Sequence, residues 1–175
     1  MSNGLVHLYT GDGKGKTTAG AGLALRALGH KFKVCYAYFH KRPEKYGYTE
    51  IENLEKLGAE IFGIAKGHPF CDADIDPEAH AELAKKQFKE LAEYIHNHNF
   101  DLLIIDEVIV SVRDGYLDEA SLLEFIKNKP AGLELVLTGR GATEQMKELA
   151  DYVSEIKKIK HPYDQKIKAR EGIEY

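Results

Sequence analysis

The chain has 175 residues, of which 43% are hydrophobic and 30% are charged, and its formal net charge is −4. This size predicts a single globular domain spanning residues 1–175. The net charge is negative and the sequence has no stripe of basic residues, which argues against nucleic acid as a partner. No apolar stretch approaches the roughly 20 residues that cross a bilayer, the start of the chain lacks a signal peptide's apolar segment, and only two cysteines are present, so we expect a cytoplasmic protein without a membrane partner.

A glycine-rich segment, TGDGKGKTT at residues 10–18, follows the apolar stretch 5–9 and precedes a helical pattern. This arrangement is typical of a phosphate-binding loop, in which glycines let successive backbone N–H groups curl around phosphate oxygens. Lys16 would supply a positive charge and Thr17 a hydroxyl for Mg²⁺, both near the positive N-terminus of the next helix. The strict motif has glycine where this chain has Thr10, and the alternative is a glycine-rich turn that holds no ligand.

Strand and helix patterns alternate along the rest of the chain. Strands are predicted at residues 33–39, 59–64, 102–105, 133–137 and 152–159. Helices are predicted at residues 17–28 with Gly29 as the cap, from a capping box of Thr49 and Glu52, from Asp76 and Pro77, after Asp118, and around Met146 and Leu149. The alternation predicts an α/β fold whose mainly parallel sheet is covered by helices on both faces.

Ligands of such sheets bind at the carboxyl ends of the strands, so the expected binding loops are residues 10–16, 40–48, 65–76, 106–116 and 138–142. Asp106 and Glu107 close the apolar strand 102–105, where their carboxylates would meet Mg²⁺. A helix cap or a surface pair is the other interpretation, but a phosphate loop requires a metal partner. We therefore expect Thr17, Glu107 and Asp106 at a site for Mg²⁺ or Mn²⁺.

Two arginines are candidate nucleotide contacts. Arg140 lies between two glycines after another apolar strand, where its planar guanidinium could reach phosphate or ribose oxygens, although an ordinary loop arginine fits almost as well. Arg26 lies nine residues past Thr17 in the first helix, and a surface arginine with its stem against apolar neighbours is the simpler interpretation.

Aromatic side chains concentrate in or beside two of the strand-end loops. They suit a large planar ligand, and core packing explains them equally well: Phe39, Tyr46, Tyr48 and Phe70. The other histidines lack a convincing metal spacing, and we expect His80 to be solvated. No nucleophilic triad is visible.

Several segments together closely resemble the P-loop type of ATP:corrinoid adenosyltransferase over nearly the whole chain: YTGDGKGKTT at 9–18, DLLIIDE at 101–107, RDGYL at 113–117, LTGRGA at 137–142, KHPYD at 160–164 and KAREGIEY at 168–175. The resemblance implies a single-domain P-loop NTPase-like (RecA-like) fold. It also implies an enzyme that transfers the 5′-deoxyadenosyl group of ATP to the Co(I) of cobalamin or a precursor corrinoid, in adenosylcobalamin synthesis or salvage. The phosphate loop would grip the triphosphate as leaving group, and reduced cobalt is so strong a nucleophile that no protein base is needed.

The resemblance also implies roles for individual residues. By matching motif, the triphosphate contacts are Gly11, Asp12, Gly13, Lys14, Gly15, Lys16, Thr17 and Thr18, with Arg26 and Arg140 as further nucleotide contacts. Glu107 would help Thr17 with the metal, which makes Lys16, Thr17 and Glu107 the implied catalytic residues. Family members commonly carry tryptophans in the loops after the second and third strands, whereas this chain has none, and Phe39, Tyr46, Tyr48 or Phe70 would seat the corrinoid instead. A homodimer and a cobalt-reducing flavoprotein partner are implied as well.

Two other functions fit the same motifs. One is a P-loop ATPase or kinase with ordinary phosphoryl chemistry, although the sequence offers no obvious catalytic base or acceptor-binding motif for it. The other is a non-catalytic protein that binds ATP and a corrinoid. Release of inorganic triphosphate separates the transferase from the first, and formation of a cobalt–carbon bond separates it from the second.

Overall fold

The fold, described for residues 3–174 in a computed structural model, is built on one parallel sheet. Its strands are β1 (Val6–Thr10), β2 (Val34–Phe39), β3 (Glu60–Ile64), β4 (Leu102–Asp106), β5 (Glu134–Thr138) and β6 (Tyr152–Glu155). Its helices are α1 (Lys16–Gly29), α2 (Pro43–Tyr46), α3 (Thr49–Lys56), α4 (Pro77–Asn97), α5 (Val108–Arg113), α6 (Glu119–Asn128) and α7 (Glu144–Glu148), followed by a 3₁₀ turn at Pro162–Gln165. The order of strands across the sheet is β3-β2-β4-β5-β1-β6.

Helices cover both faces of the sheet, as the alternating pattern predicts. Successive side chains of β4 enter different cores: Ile104 packs with residues of α1 and α3, whereas Leu103 and Ile105 pack with α4, α5 and α6. Every residue of β4 is buried for this reason, which explains why its sequence is a continuous apolar run instead of an alternation. Within the described part of the chain, no helix has both the length and the apolarity that a bilayer crossing requires.

The strand order decides which loops meet. β4 pairs with β2 on one side and β5 on the other, and β5 pairs in turn with β1. Because all these strands are parallel, the loops that follow β1, β2, β4 and β5 converge on one edge of the sheet. Residues distant in sequence are thereby brought together around the phosphate loop.

Several local predictions need correction. The capping box is wrong, because Thr49 is already inside α3, and no side chain caps that helix at its N-terminus. Gly29 is the last residue of α1, and the left-handed residue that follows the helix is Lys31, with φ of 63°. Asp76 does cap α4, since its carboxylate accepts a hydrogen bond of 2.8 Å from the Ala79 amide.

Other differences concern short elements. The predicted loops 40–48 and 106–116 contain the helices α2 and α5, and the predicted strand 152–159 ends at Glu155. Helices of one or two turns carry too few residues to show a helical period, so pattern alone does not reveal them.

Candidate active site

The phosphate loop turns sharply between β1 and α1 and packs on the segment after β6. Gly11 and Gly15 have φ values of 98° and 128°, a left-handed region in which side chains are strained. A Cβ on Gly13 would lie 2.7 Å from the Ile156 carbonyl oxygen, which itself accepts a hydrogen bond of 2.7 Å from the Gly13 amide. The glycines are therefore required both by the turn and by this close approach.

Lys16 is buried within the loop, with its ammonium Nζ 2.7 Å from the Gly11 carbonyl oxygen and 2.8 Å from that of Gly13. Burial lowers the pKa of Lys16, and the nearby Glu107 carboxylate opposes that shift. A buried ammonium at the N-terminus of α1 is well placed to attract a polyanion.

Asp106 is the centre of the hydrogen-bond network beside the loop. It is fully buried at the end of β4, and it accepts hydrogen bonds from the hydroxyls of Thr17, at 3.1 Å, and Thr138, at 2.5 Å. The ammonium of Lys41, from the loop after β2, lies 2.6 Å from its second carboxylate oxygen. Both oxygens of this carboxylate thus have protein donors.

Glu107 differs from its neighbour although the two are adjacent in sequence. Its backbone is left-handed, with φ of 61°, and its amide donates a hydrogen bond of 3.0 Å to the Thr138 hydroxyl. This turn directs Glu107 to the wall of the cavity in front of the phosphate loop. Burial raises the pKa of Glu107, the Asp106 charge raises it further, and Lys41 and Lys16 oppose both effects.

A cavity of about 670 Å³ lies in front of the phosphate loop. One wall is the predicted loop itself, from Gly13 to Thr18, and a second is formed by the end of β2 and the segment after it, with Lys41 and Tyr48. Phe39 borders this wall, but its side chain is 0% exposed and packs in the core. Glu107 and Arg140 complete the side nearest β4 and β5. Gly11 and Asp12 are part of the loop but not of this wall.

The predicted metal ligands fit a hard divalent cation. A hydroxyl and a carboxylate, from Thr17 and Glu107, line the same cavity, and Mg²⁺ prefers such oxygen donors together with phosphate and water. The described residues contain no group of three or more His, Cys, Asp or Glu side chains arranged to hold a metal by themselves. A cation here would therefore share its coordination with a bound polyphosphate.

Besides Gly11, Asp12 and the buried Asp106, three predicted site residues lie outside the cavity. Arg26 is exposed on α1, ten residues and thus roughly 15 Å along the axis from Lys16, so the nucleotide contact expected of it is not supported. The Tyr46 hydroxyl donates a hydrogen bond of 2.8 Å to Asp72, which ties the ring to a neighbouring loop. Phe70 is 92% exposed and does not line the cavity, although His68, two residues earlier in the chain, does.

A cluster of histidines beside the cavity was not expected from the sequence. His80 is 4% exposed, so the prediction that it is solvated is wrong. Its ring lies 3.1 Å from that of His40 at the nearest nitrogens, and both rings pack against Tyr116. Burial lowers the pKa of His40 to about 3, and burial also lowers the pKa of His80, so both rings favour the neutral form.

The C-terminal segment returns to the phosphate loop, which the sequence pattern also did not reveal. The Lys14 ammonium donates a hydrogen bond of 3.1 Å to the Ile173 carbonyl oxygen, and Gly172, Ile173 and Glu174 line the cavity. The motif ending in Tyr175 therefore has a structural role up to Glu174, while Tyr175 itself lies outside the described residues.

Comparisons with known proteins identify the family of the chain. The matching family model is described as ATP:corrinoid adenosyltransferase BtuR/CobO/CobP and covers residues 2–175. A corrinoid adenosyltransferase of Sinorhizobium sp is 33% identical over 98% of this chain and 80% of its own length. One from Escherichia coli (strain K12) is 32% identical over 98% of this chain and 86% of its own length.

Among solved structures, a KaiC-like protein from Pyrococcus horikoshii OT3 superposes with a TM-score of 0.56 at 18% identity, covering 89% of this chain and 73% of that one. At this identity the likeness concerns the fold alone. Together with the six-stranded parallel sheet, it confirms the predicted α/β, P-loop NTPase-like (RecA-like) fold.

Proposed function

The chain belongs to the ATP:corrinoid adenosyltransferase family, and on this basis we propose that it transfers the 5′-deoxyadenosyl group of ATP to the Co(I) of a corrinoid and releases inorganic triphosphate. The observation that carries the proposal is the composition of the cavity. A phosphate loop forms one wall, and the aromatic residue Tyr48 belongs to the wall contributed by the loop after β2, with the buried Phe39 at the end of that strand. A triphosphate and a planar apolar ligand could thus meet in one space.

The chemistry makes few demands on protein acids or bases. An electron pair on Co(I) forms the bond to C5′, and the C5′–oxygen bond breaks with its electrons passing to the triphosphate. The protein has to hold C5′ in line with cobalt and neutralise the charge that grows on the leaving group. Lys14, Lys16 and Arg140 supply positive charge around the cavity for that purpose.

A bound Mg²⁺ or Mn²⁺ would add positive charge on the triphosphate. We assign Thr17 and Glu107 as its protein ligands, because both reach the cavity. Asp106 is a poorer candidate, since Thr17, Thr138 and Lys41 already occupy its oxygens.

We assign the corrinoid to the side of the cavity formed by Tyr48. The Phe39 side chain is fully buried in the core, so it would support this wall from behind instead of contacting the corrinoid. Phe70 would contact the ring only where the ligand extends past the cavity rim, and Tyr46 would act indirectly, through its hydrogen bond to Asp72. An apolar face beneath the ring would exclude water from cobalt. Tyr48→Ala should therefore impair adenosylation while leaving ATP affinity nearly unchanged, and equal losses of both would contradict this assignment.

Three further features belong to the proposal. Because cobalt must react as Co(I), an external reductant is needed, for which a flavoprotein is the expected class. Because ATP is the co-substrate, we expect the protein to act in the cytoplasm. A homodimer of single-domain chains, each comprising residues 1–175, is the expected assembly, and light scattering of the purified protein measures it.

Anaerobic incubation with chemically reduced cobalamin, ATP and Mg²⁺ tests the proposed reaction. We expect adenosylcobalamin to form, detected by its absorption spectrum, and inorganic triphosphate to accumulate in an equal molar amount. ADP as the product would point to ordinary phosphoryl chemistry. Binding of both ligands without a cobalt–carbon bond would point to a non-catalytic protein.

A further inference from the structure

Lys41 is a buried cation that no sequence motif indicates. It lies at the carboxyl end of β2, two residues past Phe39, and its side chain is 8% exposed. Its ammonium is 2.6 Å from an Asp106 oxygen and 3.5 Å from Glu50, and it lies 4.9 Å from the centre of the Tyr48 ring. Burying a charge is costly unless it is paired, so these contacts explain why a lysine is tolerated here.

The partner of Lys41 is also the carboxylate that holds Thr17. The Thr17 hydroxyl donates to Asp106 at 3.1 and 3.2 Å from the two carboxylate oxygens. A hydroxyl that donates its proton in this direction leaves its lone pairs free to face a cation on the other side. The direction of the Thr17 lone pairs therefore depends on where Asp106 is held.

Asp106 has two other restraints, which differ in kind. Thr138 donates a hydrogen bond of 2.5 Å from an uncharged hydroxyl to Oδ1, whereas Lys41 forms an ion pair with Oδ2. Both contacts are strengthened by the carboxylate charge, but only the ammonium supplies a countercharge for a buried anion. Without the ammonium, Oδ2 would keep only the longer contact to Thr17, and the carboxylate would be buried without its cation.

We propose that Lys41 is a positioning residue for the metal-bound triphosphate: it fixes the Asp106 carboxylate, which in turn orients the Thr17 hydroxyl toward the metal. The same contact joins the loop after β2 to the end of β4, which the Thr17 hydrogen bond joins in turn to the start of α1. The inference rests on the proposed use of the phosphate loop to bind ATP, and it is independent of the acceptor that receives the adenosyl group.

Calorimetric ATP binding, with Mg²⁺ and in EDTA, tests this role without requiring turnover. Lys41→Met removes the charge and keeps the length of the side chain, and we expect it to weaken ATP binding about tenfold with Mg²⁺ but by less than twofold in EDTA. Lys41→Arg should recover part of the loss. Equal weakening in both conditions would overturn the proposal, because it would mean that Lys41 contacts the phosphates directly.

A matched control comes from the same loop. The Lys45 ammonium pairs with a different buried carboxylate, Asp72, at 2.5 Å, and it does not line the cavity. Lys45→Met should therefore lower thermal stability without changing the Mg²⁺-dependent part of ATP binding. A change equal to that of Lys41→Met would refute a specific role for Lys41.

The double variant Lys41→Met/Asp106→Asn removes both buried charges and separates stability from positioning. We expect its melting temperature to recover relative to Lys41→Met, while its Mg²⁺-dependent affinity stays low. Recovery of both would reduce Lys41 to a stabilising ion pair and overturn the inference. Failure of the adenosyl transfer itself would appear separately, as parental protein that binds ATP with Mg²⁺ but forms no cobalt–carbon bond.

Discussion

The adjacent carboxylates Asp106 and Glu107 should differ in their effect on stability when each is replaced by its amide. Asp106→Asn leaves the Lys41 ammonium buried beside a neutral group. Loss of one partner from a buried pair costs about 3–5 kcal/mol, and the second carboxylate near Lys41, Glu50 at 3.5 Å, favours the lower end. About 3 kcal/mol corresponds to a fall in melting temperature of about 6–12 °C in a chain of this size.

Glu107→Gln should have little effect on stability. No ion pair or side-chain hydrogen bond within residues 3–174 holds its carboxylate, and burial raises the pKa of Glu107, which means that the charged form is disfavoured where it lies. A neutral amide removes that cost but binds a hard cation weakly. We expect a melting temperature within about 2 °C of the parent and an Mg²⁺ requirement raised about tenfold, the equivalent of about 1.4 kcal/mol.

Thermal unfolding and an Mg²⁺ titration of ATP binding measure the two effects separately. In thermal unfolding each variant is the control for the other, because both exchange a carboxylate for an amide of the same size at neighbouring positions. Both should raise the Mg²⁺ requirement, Glu107→Gln as a lost ligand and Asp106→Asn through the orientation of Thr17. A large loss of stability in Glu107→Gln, or an unchanged melting temperature in Asp106→Asn, would show that the two roles are assigned to the wrong residues.

Three further changes test other parts of the site. Lys16→Ala should slow adenosyl transfer about 10²–10³-fold, since it removes a charge aimed at the leaving triphosphate; near-parental turnover would exclude that role. Gly13→Ala should abolish ATP binding, because its Cβ would lie 2.7 Å from the Ile156 oxygen, whereas Gly22→Ala meets no atom within 4 Å and should bind normally. The His40 pKa of about 3 lies below the ordinary 6.5, so unfolding takes up a proton between these values and stability falls as the pH drops from 6.5 toward 3. His40→Asn should remove at most about 1.4 kcal/mol per pH unit from that fall in the free energy of unfolding. Urea unfolding at pH 7 and pH 5 measures it, and an unchanged pH dependence would refute a buried neutral His40.

Local patterns predicted the parts of the structure that depend on neighbours in sequence. The glycines of the phosphate loop, the Asp76 cap and the apolar run of β4 each have a cause within a few residues, and the structure bears them out. The capping box failed because Thr49 occupies the first turn of α3 instead of the position before it. A threonine can lie either just before a helix or in its first turn, so the residue type alone does not locate the start of the helix.

Contacts across the sheet could not be predicted in this way. Lys41 and Asp106 meet because β2 pairs directly with β4, and no local signal at either residue specifies that pairing. Lys14 and Ile173 are separated by almost the whole chain. Arg26 illustrates the converse: its helix begins in the site, but a rise of roughly 1.5 Å per residue carries it away from the phosphates.

The network around Asp106 joins the two walls of the cavity. This carboxylate at the end of β4 receives contacts from Thr17 after β1, Lys41 after β2 and Thr138 at the end of β5. The backbone of the loop after β2 is thereby tied to the end of β4 through the Lys41 side chain. Tyr48 lies on that loop, with its ring centre 4.9 Å from the Lys41 ammonium. The aromatic wall and the phosphate loop thus have the buried pair of Lys41 and Asp106 as a common neighbour, which explains why residues from four strand ends are needed to build one cavity.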